Sequence, residues 1–170
     1  GIRAEVVETA PPGLDNPNIR NISDVILELI SGAENSIDME VYTIYASDSP
    51  PLADIYSALF SAAARGVHIR ILIDNWVFQG LYDWNRSLFD PLLSNENIQL
   101  KTSSWWMHSK IIIVDNRVAL VSSANLSTNA MTSDREIAIL VEGEQFAKAL
   151  EAIFETGWSG TPVEFENGWS

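Results

Sequence analysis

Histidine is scarce in this chain of 170 residues: only His68 and His108 carry an imidazole. His108 is followed two positions later by Lys110, at the mouth of the apolar run Ile111–Val114. A strand's period of two puts both side chains on one side. An imidazole that can attack or pass a proton, beside a fixed positive charge, suits a phosphate group. After the run comes a small polar cluster, Ser122, Ser123 and Asn125. If residues 110–115 and 117–123 pair as a hairpin through Asp115-Asn116-Arg117, that cluster returns to the edge where His108 sits and offers neutral donors to phosphate oxygens. Such a group can hold a phosphodiester without a large basic surface. His68 has no lysine two residues on and reads as a strand-surface residue.

The elements that must position these groups alternate between short β-branched runs and longer helical patterns, as in an α/β domain. Strands are predicted over 3–9, 36–44, 67–74, 97–102, 110–115, 117–123 and 136–142. Helices are predicted over 23–33, 52–65, 86–93 and 144–155, from apolar residues at helical spacing and glycine near their ends. The prolines and asparagines of 11–18 mark a loop. The aromatic stretch 74–84 is also read as a loop, and 159–170 as an irregular tail to a single domain spanning 1–158.

Composition limits the chemistry. Hydrophobic residues make up 46% of the chain, enough for one self-sufficient core. Cysteine is absent, which excludes thiolate nucleophiles, zinc–thiolate centres and disulfide scaffolds. Ten basic against 23 acidic side chains give a net charge of -13, a field that repels polyanions at long range. Any phosphate binding must therefore be local. No apolar stretch reaches the length of a membrane span, so this form reads as soluble. Because Gly1 is not a methionine, a removed signal, a former membrane anchor or a preceding domain stays open, and so does secretion.

His108, Lys110, Asp115, Ser123 and Asn125 carry a resemblance. They match the signature of the phospholipase D superfamily: histidine, any residue, lysine, four residues, aspartate, six residues, then glycine-serine-any-asparagine. Ser122 stands where the family usually has glycine, so a side chain is expected to crowd the phosphate or move a backbone donor. The flanking "VVETAPPGLDNPN", "SIDMEVY", "SDREIAILVE" and "IFETGW" also sit where the family places strands and its closing helix. The first of these is similar to the branch holding lysosomal exonucleases and poxvirus relatives.

The resemblance implies a mixed central β-sheet flanked by helices, and an active site that needs two copies of the motif. This chain carries one. The expected partner is therefore a second copy in a homodimer with a shared site, or a second domain bearing its own motif. It also implies that one His108 forms a phosphohistidine while the other serves as acid and base, with Lys110, Asn125 and Ser123 around the phosphate oxygens and no cofactor or metal. Glu136 is implied as the acceptor that fixes a histidine tautomer. Asp115 is expected to be structural, fixing the turn between its strands.

The substrate is read from the rim. Trp76, Phe78, Tyr82 and Trp84 crowd one predicted loop, and Trp105, Trp106 and Met107 precede His108 directly. Two or three of these aromatics belong to the core on general grounds, and the rest, with Trp76, Trp105 and Trp106 foremost, are candidates for substrate binding. Exposed tryptophan suits both the interface of a phospholipid membrane and the stacking of single-stranded nucleic acid. The acidic balance favours phospholipid headgroups, by hydrolysis or transfer. The exonuclease-like opening favours single strands, and an inactive binding module is a third reading.

Overall fold

A computed structural model describes residues 1–160. One seven-stranded sheet forms its middle layer: β1 (Arg3–Thr9), β2 (Ser36–Val41), β3 (His68–Asp74), β4 (Ile98–Ser103), β5 (Ile111–Val114), β6 (Val118–Ser122) and β7 (Glu136–Glu142). The spatial order is β1-β7-β6-β5-β2-β3-β4. β2, β3 and β4 run parallel, and the other neighbours are antiparallel. The sheet is thus mixed, as expected.

Parallel neighbours need crossover connections, and the helices α2 (Leu52–Ala64) and α4 (Arg86–Ser94) supply them. Ile55, Leu59, Ala62 and Ala63 of α2 are buried at helical spacing. They share the larger core with α1 (Ile22–Ser31) and with Ile37, Met39, Ile69, Ile71, Ile112 and Leu120 of the sheet. Side chains alternate across a strand, so Ile111, Ile113, Leu72 and Ala119 point to the opposite layer. There α6 (Glu144–Ser159) covers them with Ala147, Phe154 and Trp158. Each large apolar side chain buried in this way contributes about 1.5–3 kcal/mol.

A charged stitch holds α6 to the sheet. Arg70 of β3 donates from Nε and Nη2 to the two Asp38 oxygens at 2.7 and 3.0 Å. It also donates to Glu155, and Glu151 lies within ion-pair range at 3.9 Å. Its guanidinium rests over the Phe154 and Trp158 rings, 4.9 and 5.4 Å from their centroids.

The β5–β6 hairpin closes on Asp115 and Asn116, with φ of 54° and 52°. Three residues, 115 to 117, link the paired Val114 and Val118, and Asp and Asn tolerate the two positive φ values better than most residues. Asp115 also reaches across the fold: its carboxylate accepts from the backbone N–H groups of Glu34, Asn35 and Ser36 at 3.0, 2.7 and 2.9 Å.

The aromatic stretch read as a loop is helical. α3 (Asn75–Leu81) and a 3-10 turn over Asp83–Asn85 occupy it. Phe78 and Tyr82, four residues apart, lie on one helical face and pack with Phe89 at 4.7 and 6.0 Å between centroids. They belong to the core rather than to a rim. The loop reading missed the helix because its start signal is Asp74, whose side chain accepts from the Val77 N–H at 3.2 Å as an N-cap. A further short helix, α5 (Thr128–Thr132), begins at the cap Ser127. The second strand is shorter than expected and stops at Val41. The last helix runs on through Ser159, and the rest of the expected tail, 161–170, lies outside the described residues.

Candidate active site

The parallel strands β2, β3 and β4 end on the same edge of the sheet at which β5 starts. In open α/β sheets the carboxyl ends of parallel strands form the usual site crevice. β2 delivers Tyr42 there, and β4 leads into the Trp105–Lys110 segment that carries His108. β6 antiparallel to β5 brings Ser122, Ser123 and Asn125 back to the same edge, with the Ser122 N–H donating to the Lys110 carbonyl at 3.0 Å. The hairpin thus makes Lys110 and the serine-asparagine turn neighbours.

Lys110 Nζ lies 3.1 Å from Nδ1 of His108 and 3.4 Å from Nε2, so an imidazole lone pair facing it accepts from the ammonium. His108 is exposed, whereas Lys110 is only 9% exposed. Burial pulls the Lys110 ammonium below its usual range, and the Glu136 carboxylate acts in the opposite direction. Lys110 therefore carries a poorly solvated charge. Asn125 Oδ1 accepts from the Thr43 N–H at 3.3 Å, and the amide Nδ2 has no partner among the described residues.

Ser122, at the position where glycine was expected, accepts from the Ala124 N–H through its hydroxyl at 2.9 Å. The side chain is folded into its own turn and uses up one backbone donor. Ser123 donates to Glu136, and its hydroxyl accepts from the Ile137 N–H at 3.0 Å. Within one chain Glu136 bonds Ser123, and no hydrogen bond joins it to His108.

Two groups escaped the sequence reading. The Tyr42 ring lies 4.7 Å from the His108 ring, tilted by 52°, and 5.6 Å from that of Trp106. Glu40 is buried and accepts from the Ser109 hydroxyl at 3.1 Å, and burial pushes its carboxyl up against that bond. Both lie at the carboxyl end of β2, which was the available signal. Trp76, Trp105 and Trp106 are all exposed, Trp76 at 79%. Trp106 packs against Tyr42 with its ring tilted by 39°, while the Trp105 ring is packed close against Gly157 of α6. Trp84, at 86%, is exposed too. Among the described residues no group of three or more His, Cys, Asp or Glu side chains is placed to hold a metal.

The comparisons with known proteins agree with this architecture. The family model described as "Cardiolipin synthase, PLD-like domain" matches residues 26–158, and the chain belongs to this phospholipase D-like family. It is 27% identical to phospholipase D Z of Dictyostelium discoideum, over 97% of this chain and 42% of that protein. It is 28% identical to the envelope phospholipase OPG057 of monkeypox virus, over 80% of this chain and 38% of the relative. The chain therefore spans less than half the length of these two relatives. Among solved structures it is similar to Nuc, a phospholipase D family member from Salmonella typhimurium, at 25% identity and a TM-score of 0.78, covering 98% of this chain and 99% of that one.

Proposed function

We propose that this chain is a phosphodiesterase whose site is completed by a second motif, so that two copies of His108 act on one phosphate. The observation that carries the reading is the contact of Lys110 Nζ with the His108 ring at 3.1 Å, beside a turn whose Asn125 amide is open. A diester resists attack because its oxygens are negative. Two Lys110 ammonium groups and two Asn125 amides offset that charge without a cation, and the Ser123 hydroxyl adds a further contact. His108 of one subunit attacks phosphorus and displaces the alcohol, giving a phosphohistidine. His108 of the partner subunit protonates the leaving oxygen, then takes a proton from the water or alcohol that releases the product. Glu136 is the acceptor for a histidine ring nitrogen in the paired site, fixing its tautomer.

Pairing of two copies is supported by an uncovered apolar face beside this edge. Val6, Ile139 and Val121 lie side by side across β1, β7 and β6, and Ile137 follows on the same face. All four are exposed, and an apolar patch rimmed by polar groups marks an interface. It is continuous with Ser123 and Glu136, where a second motif is needed. A second domain carrying its own motif could occupy the same face.

Phospholipid headgroups are the favoured substrate, by hydrolysis or transfer. The exposed tryptophans suit a bilayer interface, and a net charge of -13 disfavours a long polyanion. Single-stranded nucleic acid is the second reading, supported by the Tyr42–Trp106 pair as a stacking platform. The test is steady-state turnover of bis(p-nitrophenyl) phosphate in excess chelator, followed by competition between phosphatidylcholine vesicles and an unlabelled single strand. Turnover abolished by His108→Ala supports the reading; turnover unaffected by it, or none in wild type, removes it and leaves a binding module.

A further inference from the structure

Asp74 is a buried carboxylate that the chemistry above does not use. It is 1% exposed, and no Lys or Arg side chain among the described residues pairs with it. Burying an unpaired carboxylate is costly, so its bonds must offset that cost. It has two, and they lead in different directions. Oδ1 accepts from the Val77 N–H at 3.2 Å and caps α3, the helix that carries Trp76. Oδ2 accepts from the Met107 N–H at 3.1 Å, in a bond that is itself buried.

Met107 is the residue immediately before His108, in a segment without regular structure. Such a segment has many backbone states, and a histidine that must reach phosphorus needs one of them. The segment is held at few points. The Ser103 hydroxyl donates to the Trp105 carbonyl at 2.7 Å, the Trp105 ring rests near Gly157, and the Met107 side chain is buried under α6. Asp74 holds the backbone of the residue before His108, as Glu40 holds the residue after it through the Ser109 hydroxyl.

We propose that Asp74 is a positioning residue for the reaction: through the Met107 N–H it fixes the backbone from which His108 reaches the phosphate. The inference rests on the phosphodiesterase reading for its kinetic consequence, but its structural half is independent of turnover. A cap alone does not require an aspartate, because serine caps helices about as well. The length of the aspartate side chain is what lets one group serve both Val77 and Met107.

The discriminating variant is therefore Asp74→Ser, which retains a cap for α3 and is too short to hold Met107. With only two histidines in the chain, His68 serves as an internal control for His108 in a proton–carbon spectrum of the labelled protein. The expected result is a His108 ring resonance that moves and broadens while His68 is unchanged. Alongside it, kcat on bis(p-nitrophenyl) phosphate falls about tenfold or more with KM within twofold. Asp74→Asn, which retains size and one acceptor oxygen, is measured in the same way should the serine variant not fold. An unmoved His108 resonance with kcat within twofold of wild type overturns the positioning role and leaves the phosphodiesterase reading standing. A moved resonance in a protein whose wild type has no turnover overturns that reading instead, and with it the kinetic half of the inference.

Discussion

Lys110 and His108 are joined before any substrate arrives, Nζ to Nδ1 at 3.1 Å. The ammonium is short of solvent and in contact with the imidazole, so on the proposed mechanism an incoming phosphate replaces the ring as its partner. Lys110→Met retains the stem and removes the charge, and is expected to lower kcat by about 10²- to 10³-fold, as for loss of one preorganised charge-stabilising donor. Circular dichroism should be unchanged. A loss of less than threefold would mean that the ammonium does not meet the phosphate.

Asp115 belongs to the same motif but works on the fold. Its carboxylate accepts three backbone N–H groups of the α1–β2 connection from a turn with positive φ. Asp115→Ala strands those donors and places alanine in a left-handed conformation. Given about 1.5–3 kcal/mol for hydrogen bonds to a charged group, the expected cost is about 3 kcal/mol. For a domain of this size that is a fall in Tm of roughly 6–12 °C. Calorimetry checks it, and an unchanged Tm would show that the contacts are replaceable.

The ionic stitch under α6 makes stability depend on pH. Burial, and then the contact with Asp38, push the Glu151 carboxyl up to about 8 against the pull of Arg70, with Glu155 adding repulsion. In the unfolded chain the same group releases its proton near about 4.3. Between those values the folded state binds the extra proton, so this contribution is full below the lower value and is lost as pH rises through the upper one. Buried Glu40 acts in the same direction. The carboxylates held low by their partners, Glu5, Glu8 and Asp90, act below this window. Tm is expected to fall from pH 5 to pH 9, and Glu151→Gln to flatten that fall. Parallel curves for the two proteins would remove Glu151 as the cause.

Trp106 packs tilted against Tyr42, which packs in turn against His108, and on the proposed mechanism it touches whatever extends beyond the phosphate. Trp106→Ala is expected to raise KM for a natural substrate by about 5- to 160-fold, the equivalent of 1–3 kcal/mol if a base stacks there. For bis(p-nitrophenyl) phosphate the change should be within threefold. Equal effects on both substrates would place Trp106 at the phosphate rather than at the rim.

Much of this was legible in the sequence because strand chemistry is local. The apolar runs Ile111–Val114 and Val118–Val121 and the turn residues Asp115 and Asn116 between them mark the hairpin, and the hairpin brings Lys110 beside Ser122. The helix α3 was not legible, because its dense aromatics conceal the single spacing, Phe78 to Tyr82, that faces the core. Tyr42, Glu40 and Asp74 were not legible as site residues for a different reason. Each contacts the irregular segment between β4 and β5, at Met107, His108 or Ser109, and β5 inserting beside β2, which brings that segment there, is a pairing that no periodicity encodes.

The central claim is that one site needs two copies of His108, and mixed dimers test it most directly. Wild type and His108→Ala carrying different affinity tags are coexpressed, the doubly tagged species is isolated, and steady-state turnover is measured on a diester with an alkyl leaving group. The account predicts a stable dimer with no sustained turnover, because the single remaining histidine cannot be nucleophile and acid–base at once. Half of the wild-type rate in that mixed dimer, or full activity from a protein that sediments only as a monomer, would contradict it.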